Sequence, residues 1–180
     1  MTKKYQLRQF GFGLLEALIA SGMIAVFTAG IVILGNLSIR SVVVNKHKLQ
    51  AAYLAQEAIE AVRNIRDSNW VDENINTNWD NGFPASAGVY TNRGVRLSSN
   101  LWTINNSPDY FDSNLNQNNI PDYNSNERIF ARAIKITRNS VSGNTLADKI
   151  IDIEVEVSWQ DYGKSRSVKI DSSLTDWQQY

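Results

Sequence analysis

Cysteine is absent from this 180-residue chain, which excludes a disulfide scaffold, thiol chemistry and cysteine-ligated metals. Histidine occurs only as His47, so a Ser-His-Asp arrangement has one possible base. That base sits between Lys46 and Lys48 on a predicted helix and reads as a solvated or interface residue. No proline precedes Pro84 and no glycine lies between Gly35 and Gly82, so the usual helix breakers are missing from a long stretch. Charge is missing too: Ala17 to Leu34 are 18 residues without a charged side chain, preceded by the lone acid Glu16. The formal charge of zero is therefore a sum of unlike parts. The first 11 residues hold Lys3, Lys4 and Arg8 and no acid, whereas the remaining 169 carry 15 basic and 18 acidic side chains, a net −3. That sign argues against a strongly basic nucleic-acid binder.

What is present is an apolar run followed by a polar domain. At about 1.5 Å per residue, a helix slightly longer than the Ala17 to Leu34 run crosses a hydrocarbon core roughly 30 Å thick. The basic flank places the N-terminus in the cytoplasm and the rest of the chain outside. From Ser38 onward the pattern becomes amphipathic, with Val44, Ala51, Leu54, Ala55, Ala58, Ile59, Val62 and Ile65 at steps of three and four. Glu57, Glu60, Arg63, Asn64 and Asp67 take the other side. The expectation is one helix from Phe12 to Asp67, on the order of 80 Å long, half in lipid and half as the spine of an outer domain. Gly22, Gly30 and Gly35 are its weak points.

Residues 68–127 are rich in Asn, Asp, Ser and Gly and predict loops with short strands near Val89–Tyr90, Val95–Leu97 and Leu101–Ile104. Asn114 to Glu127 reads as an exposed polar loop. In the last third, Ile151, Ile153, Val155, Val157 and Trp159 alternate with Asp152, Glu154, Glu156, Ser158 and Gln160, the period of a half-buried strand. Asp161, Tyr162 and Gly163 suit a hairpin turn, after which Val168, Ile170 and Leu174 share one face. Arg128 to Arg138 is a further β-prone run, in which Arg132, or Lys169 on the hairpin, is expected opposite Glu154 or Glu156.

Glu16 needs an explanation, because a carboxylate in a membrane helix costs roughly 2.5 to 3.5 kcal/mol when central and somewhat less near an end. An ordinary signal peptide fits less well, since its apolar core is shorter, carries no acid and ends in a small-x-small site. A plain uncleaved anchor leaves Glu16 unexplained. Cleavage between Gly11 and Phe12 is the third reading.

The stretch GFGLLEALIA, Gly11 to Ala20, resembles the class III signal of bacterial type IV prepilins and pseudopilins. The resemblance implies that a membrane prepilin peptidase cuts after Gly11 on the cytoplasmic side and that Phe12 is then N-methylated. It also implies that Glu16, the fifth mature residue, registers a subunit against its neighbour during filament assembly, where the new α-amino group of Phe12, with an ordinary pKa near 7.7 to 8.0, would be neutralised by Glu16 of an adjacent subunit and small residues from Ala17 to Gly30 would let the helices approach closely. Gly13 departs from the Thr or Ser usual at the second mature position, and the proline common in the helix of major pilins is absent. The run AAYLAQEAIEAVRNIRDSNW, Ala51 to Trp70, and the closing LTDW, Leu174 to Trp177, are more similar to PilV-type minor pilins than to major pilins. The C-terminal cysteine pair frequent in that family is missing, which leaves the outer domain to packing and to any bound metal.

The resemblance implies an α+β, pilin-like fold: a long N-terminal helix, membrane-spanning in its first half and amphipathic in its second, packed on a C-terminal antiparallel sheet. The expected organisation is a cytoplasmic leader at 1–11, an assembly helix at 12–37, its amphipathic continuation at 38–69, a variable region at 70–127 and a sheet region at 128–180. Residues 38–180 then form one globular domain. No enzymatic activity is expected. The implied partners are other pilin subunits, the prepilin peptidase and methyltransferase, the membrane and a pilus assembly platform, and the implied location is a cytoplasmic membrane and then an extracellular filament. The alternative is a binding module, adhesive or DNA-capturing, on an uncleaved single-pass anchor.

Three weaker patterns remain. Asp109, Asp112, Asp122 and Glu127 among asparagines are ligands of the kind calcium prefers, without the D-x-D-x-D-G spacing of a calcium loop, so they read first as a solvated loop and no cofactor is expected. Trp79 and Trp102 are candidates for an adhesive patch, while Trp159 and Trp70 are assigned to the core. Arg93 and Arg96, near Tyr90 and Trp102, are the weak candidates for contact with nucleic acid.

Overall fold

The computed structural model describes residues 13–71, 78–111, 117–118, 129–138 and 150–176. One helix, α1 (Leu14–Val71), is followed by seven strands: β1 (Gly88–Ser98), β2 (Leu101–Asn105), β3 (Asp109–Phe111), β4 (Gln117–Asn118), β5 (Phe130–Arg138), β6 (Ile150–Asp161) and β7 (Lys164–Thr175). The fold is α+β, a long N-terminal helix packed on an antiparallel sheet. Two compact units divide the chain, Met1–Asn45 and Lys46–Tyr180, and α1 begins in the first and ends in the second.

The carbonyl of Gly13 accepts the amides of Glu16 (2.9 Å) and Ala17 (3.2 Å), which starts α1. The helix runs four residues past the expected Asp67, so Trp70 lies in its last turn instead of beyond it. Its buried stripe in the second unit is Ala51, Leu54, Ala55, Ala58, Ile59, Ala61, Val62 and Ile65. Val44, expected on that stripe, belongs to the first unit and is half-exposed. Four of the eight buried residues are alanine, and so short a side chain lets the helix backbone sit close to the β-branched face of Ile134, Ile136, Ile151, Ile153, Val155 and Val157.

β5 is the hub of the sheet. Along one edge it pairs with β6, from Phe130↔Trp159 to Arg138↔Ile151, and β6 pairs in turn with β7. Its other edge is shared: β1 takes the C-terminal half (Gly88↔Arg138 to Arg93↔Ile134) and β3 takes the N-terminal half (Asp109↔Arg132 to Phe111↔Phe130). β2 extends β1, and β4 extends β3. The alternation expected for β6 holds, with Ile151, Ile153, Val155, Val157 and Trp159 buried.

The hairpin expected at Asp161–Gly163 is present, with Asp161 as the last residue of β6, paired with Lys164, and Tyr162–Gly163, with φ of 49° and 76°, at the turn. Two residues at positive φ form the type I′ turn that matches the twist of the flanking strands. The short pieces expected at Val89 and Val95 are one strand of 11 residues, bent by a bulge between Tyr90 and Arg93 where Asn92 takes a φ of 56°. β3 was not anticipated, and β4 falls inside the expected loop. Of the two residues expected opposite Glu154 or Glu156, Lys169 pairs with Glu156, whereas Arg132 lies opposite Val157, on the inward parity of β5, and is fully buried.

Candidate functional site

From Leu14 to Val42 every residue of α1 is exposed, including large apolar ones such as Leu14, Leu18, Met23 and Phe27. This stretch is long and apolar enough to cross a membrane. Two hydroxyls in its apolar part bond to the helix itself. Ser21 donates to the carbonyl of Leu18 at 2.9 Å, and Thr28 lies 2.9 Å from the carbonyls of both Ile24 and Ala25. That arrangement suits a solvent that offers no hydrogen bonds. Ala17, Ser21, Ala25 and Ala29 recur at steps of four, and a Cβ added at Gly22, Gly30 or Gly35 would meet nothing within 4 Å.

Glu16 lies in the first turn of α1, two residues into the helix, where a carboxylate also complements the positive end of the helix dipole. Gly11 and Phe12, the expected processing residues, lie outside the described residues, as do the metal candidates Asp112 and Asp122, Glu127 and Trp177.

The second unit holds two buried polar clusters. Asp109, expected in an exposed loop, is instead the first residue of β3 and 3% exposed. Its Oδ2 accepts Nε (3.1 Å) and Nη2 (2.9 Å) of Arg132 and the backbone amide of Val95 (3.0 Å). Nη1 of Arg132 donates to the carbonyl of Leu54 in α1 at 2.9 Å, and the guanidinium stands 4.7 Å from the centre of the Phe111 ring. The correction follows from charge: a fully buried guanidinium has to be met by an anion, and Asp109 is drawn in to meet it.

His47, expected in solvent or at an interface, forms the second cluster. Its Nδ1 lies 2.6 Å from Oδ1 of Asp161, whose Oδ2 accepts Nε1 of Trp159 at 2.7 Å. Phe130 meets the imidazole edge-on at 5.8 Å. The signal in the sequence was the parity of β6, which places Asp161 inward next to Trp159.

The outer face of the sheet is a ladder of exposed ion pairs. Glu154 lies 3.2 Å from Lys135 and 3.3 Å from Lys169, and Lys169 also reaches Glu156 at 3.3 Å. The hydrogen bond from Lys135, and then that from Lys169, holds the Glu154 carboxyl below its ordinary pKa. Glu156 and then Glu154 hold the Lys169 ammonium above its own.

Trp102 is half-buried and lines a groove with Glu57, Glu60, Arg63, Asn64 and Asp67, whose acids repel phosphate. Arg93 packs over the ring of Tyr90 at 5.5 Å. Trp79 is half-buried against the core, and its carbonyl accepts Nδ2 of Asn69 at 3.0 Å. Among the described residues no group of three His, Cys, Asp or Glu side chains gathers as a metal site. No protein-family model, curated protein or solved structure matches the chain.

Proposed function

We propose that this chain is a minor type IV pilin or pseudopilin, a structural subunit that inserts in the cytoplasmic membrane, is processed at Gly11/Phe12 and joins or primes a pilus-like filament. The observation that carries the reading is the helix end: an acid in the first turn of a wholly exposed apolar segment, just before the charge-free run Ala17 to Leu34 and directly after GFGLL and a basic leader. In this reading the positive α-amino group of mature Phe12 and Glu16 of a neighbouring subunit lose their hydration together, so that each charge offsets the other inside the helix bundle. The face built on Ala17, Ser21, Ala25 and Ala29 brings the helices close. The sheet domain lies outside the cell and contributes contacts along or at the tip of the filament.

The mass of the mature N-terminus tests this. Loss of residues 1–11 with one methyl group added at Phe12 supports it, and a bulky residue at Gly11 should keep the leader attached. An intact leader on a monomeric protein would instead leave a binding module on a plain anchor. Glu16→Ala should still insert in the membrane and should fail to enter filaments.

A further inference from the structure

One end of the second unit is basic, although the chain beyond Gly11 is net acidic. Between Glu16 and Glu57 the charged side chains are Arg40, Lys46 and Lys48, and between Asp161 and Asp171 they are Lys164, Arg166 and Lys169, with no acid in either stretch. The fold joins the two stretches. His47 meets Asp161 at 2.6 Å, which sets the tip of the β6–β7 hairpin beside the turn of α1 that carries Lys46 and Lys48. Lys164 and Arg166 keep the inward parity of β7, but the hairpin runs past the core there and both are exposed, as are Lys46 and Lys48. Asp161 does not neutralise them: it is 4% exposed and holds His47, the Trp159 indole and, at 3.5 Å, Arg166. Lys46, Lys48 and Lys164 form no ion pair among the described residues. The turn itself is a second oddity. Tyr162 holds a φ of 49° at the first position of a type I′ turn, where asparagine, aspartate or glycine is preferred and a bulky side chain is strained. It is 60% exposed, so burial in the core does not offset that strain.

We propose that the β6–β7 hairpin tip and the adjoining turn of α1 form a docking surface for anionic phospholipid headgroups, with Lys46, Lys48, Lys164 and Arg166 toward the phosphates and Tyr162 at the boundary with the acyl chains. The proposal rests on the reading that the apolar segment spans a bilayer, and neither on processing at Gly11 nor on entry into filaments. Chain length keeps a bilayer within reach. Lys46 follows Leu34, the end of the charge-free run, by 12 residues, which is about 40 Å if fully extended and about 18 Å along a helix. A surface tethered that closely is present at high effective concentration, so weak contacts suffice. The chemistry favours lipid over a folded acidic partner. Three of the four cations are lysines, point charges on flexible stems that follow a mobile array of phosphates, whereas planar, bidentate recognition would call for arginine. A tyrosine, apolar in its ring and polar at its tip, is enriched at the headgroup level of membranes.

The absence of cysteine allows a single labelled position to test the surface. Ser165→Cys in the hairpin, or Ser173→Cys about 26 Å further along β7 at roughly 3.3 Å per residue, would carry a fluorophore on the full chain reconstituted in vesicles. The vesicles are phosphatidylcholine alone or an equal mixture with phosphatidylglycerol, each containing a headgroup-level quencher. Quenching at position 165 should be roughly twofold or more greater in the anionic vesicles, and at position 173 it should be the same in both. The excess should vanish at about 1 M potassium chloride, where the screening length is about 3 Å. Lys46→Gln, Lys48→Gln and Lys164→Gln together leave the His47–Asp161 contact in place and should abolish it. Tyr162→Asn, a residue this turn prefers, should fold and show less quenching. Equal quenching in the two vesicles, or an excess that survives the triple variant, overturns the proposal. Shelter that follows chain density and not lipid charge also overturns it, in favour of a protein partner. A chain that floats with neither vesicle refutes the membrane reading and the docking surface together, whereas a floating chain without the excess refutes the surface alone.

Discussion

Arg132→Met isolates the buried charge on which β3 depends. The guanidinium is fully buried, and it donates to Leu54 of α1 and to Oδ2 of Asp109, which is itself 3% exposed. Methionine fills a similar length without the charge and leaves the carboxylate with the Val95 amide as its remaining partner. Removing one member of a buried pair costs about 3 to 5 kcal/mol, most of it from the stranded charge. The Leu54 carbonyl keeps its helical hydrogen bond and adds little. Replacing both members, Arg132→Met with Asp109→Leu, removes the stranded charge and gives up the hydrogen bond from the Val95 amide, at about 1 to 3 kcal/mol. The double variant should therefore be more stable than the single one.

Tryptophan fluorescence is the right probe. All five tryptophans lie between residues 70 and 177, so the signal reports the second unit while detergent covers the apolar segment. For a unit of this size the single variant should lower the unfolding temperature by roughly 10 to 20 °C, measured with chelator present. A loss under about 1 kcal/mol for Arg132→Met, or costs that simply add in the double variant, would refute the account of a mutually dependent pair.

Further outcomes follow from the same geometry. Ala58 is fully buried between α1 and the sheet, so Ala58→Leu should overpack that contact and cost about 1 to 3 kcal/mol by the same fluorescence assay. Asn100 holds a φ of 63° in the turn between β1 and β2, and Asn100→Gly should raise stability by a few tenths to about 1 kcal/mol in denaturant titration. Glu154 has a lowered pKa, so its ion pairs contribute stability above the unfolded-state pKa, and that contribution is lost as pH falls through the folded one. Lys169 has a raised pKa and contributes below its unfolded-state value, losing the contribution as pH rises through the folded one. Unfolding temperature plotted against pH should accordingly lose part of its acid limb in Glu154→Gln and part of its alkaline limb in Lys169→Met.

The elements that were legible in the sequence are those in which burial alone sets the pattern. α1 follows from a missing helix breaker and a three-four stripe, and β6 follows from five apolar residues alternating with five polar ones. β3 was not legible, because Asp-Tyr-Phe within an asparagine-rich stretch has no periodicity of its own. It is a strand because Arg132 holds Asp109 against β5. A usable signal did exist one strand away. The inward parity of β5 reads Phe130, Arg132, Ile134, Ile136, Arg138, and two arginines on a core-facing row call for two buried anions elsewhere in the chain. Of the expected site residues, Glu16 falls where the apolar pattern put it, whereas Asp109 and His47 were misread because their partners are 23 and 114 residues away.

Those two inward arginines and one inward acid share a role that the hydrophobic core cannot fill. Arg132 fixes β3 and reaches α1. Arg138 fixes the segment after α1 through Asp80 and the Pro84 carbonyl, and Asp161 fixes the closing hairpin to His47. Apolar packing rewards burial without regard to direction, so it holds α1 against β5 and β6 but does not choose where a polar, asparagine-rich connection should lie. A buried charge does choose, because a misplaced partner leaves it stranded at a cost of several kcal/mol. In a chain with no cysteine, these polar ties supply the positional information that a disulfide would otherwise give, and each is anchored on an inward position of β5 or β6. It follows that the connections should tolerate exchange of their solvent-facing residues while Asp80, Asp109 and His47 are kept, and should lose their placement, with the core still formed, when any of the three is replaced by alanine.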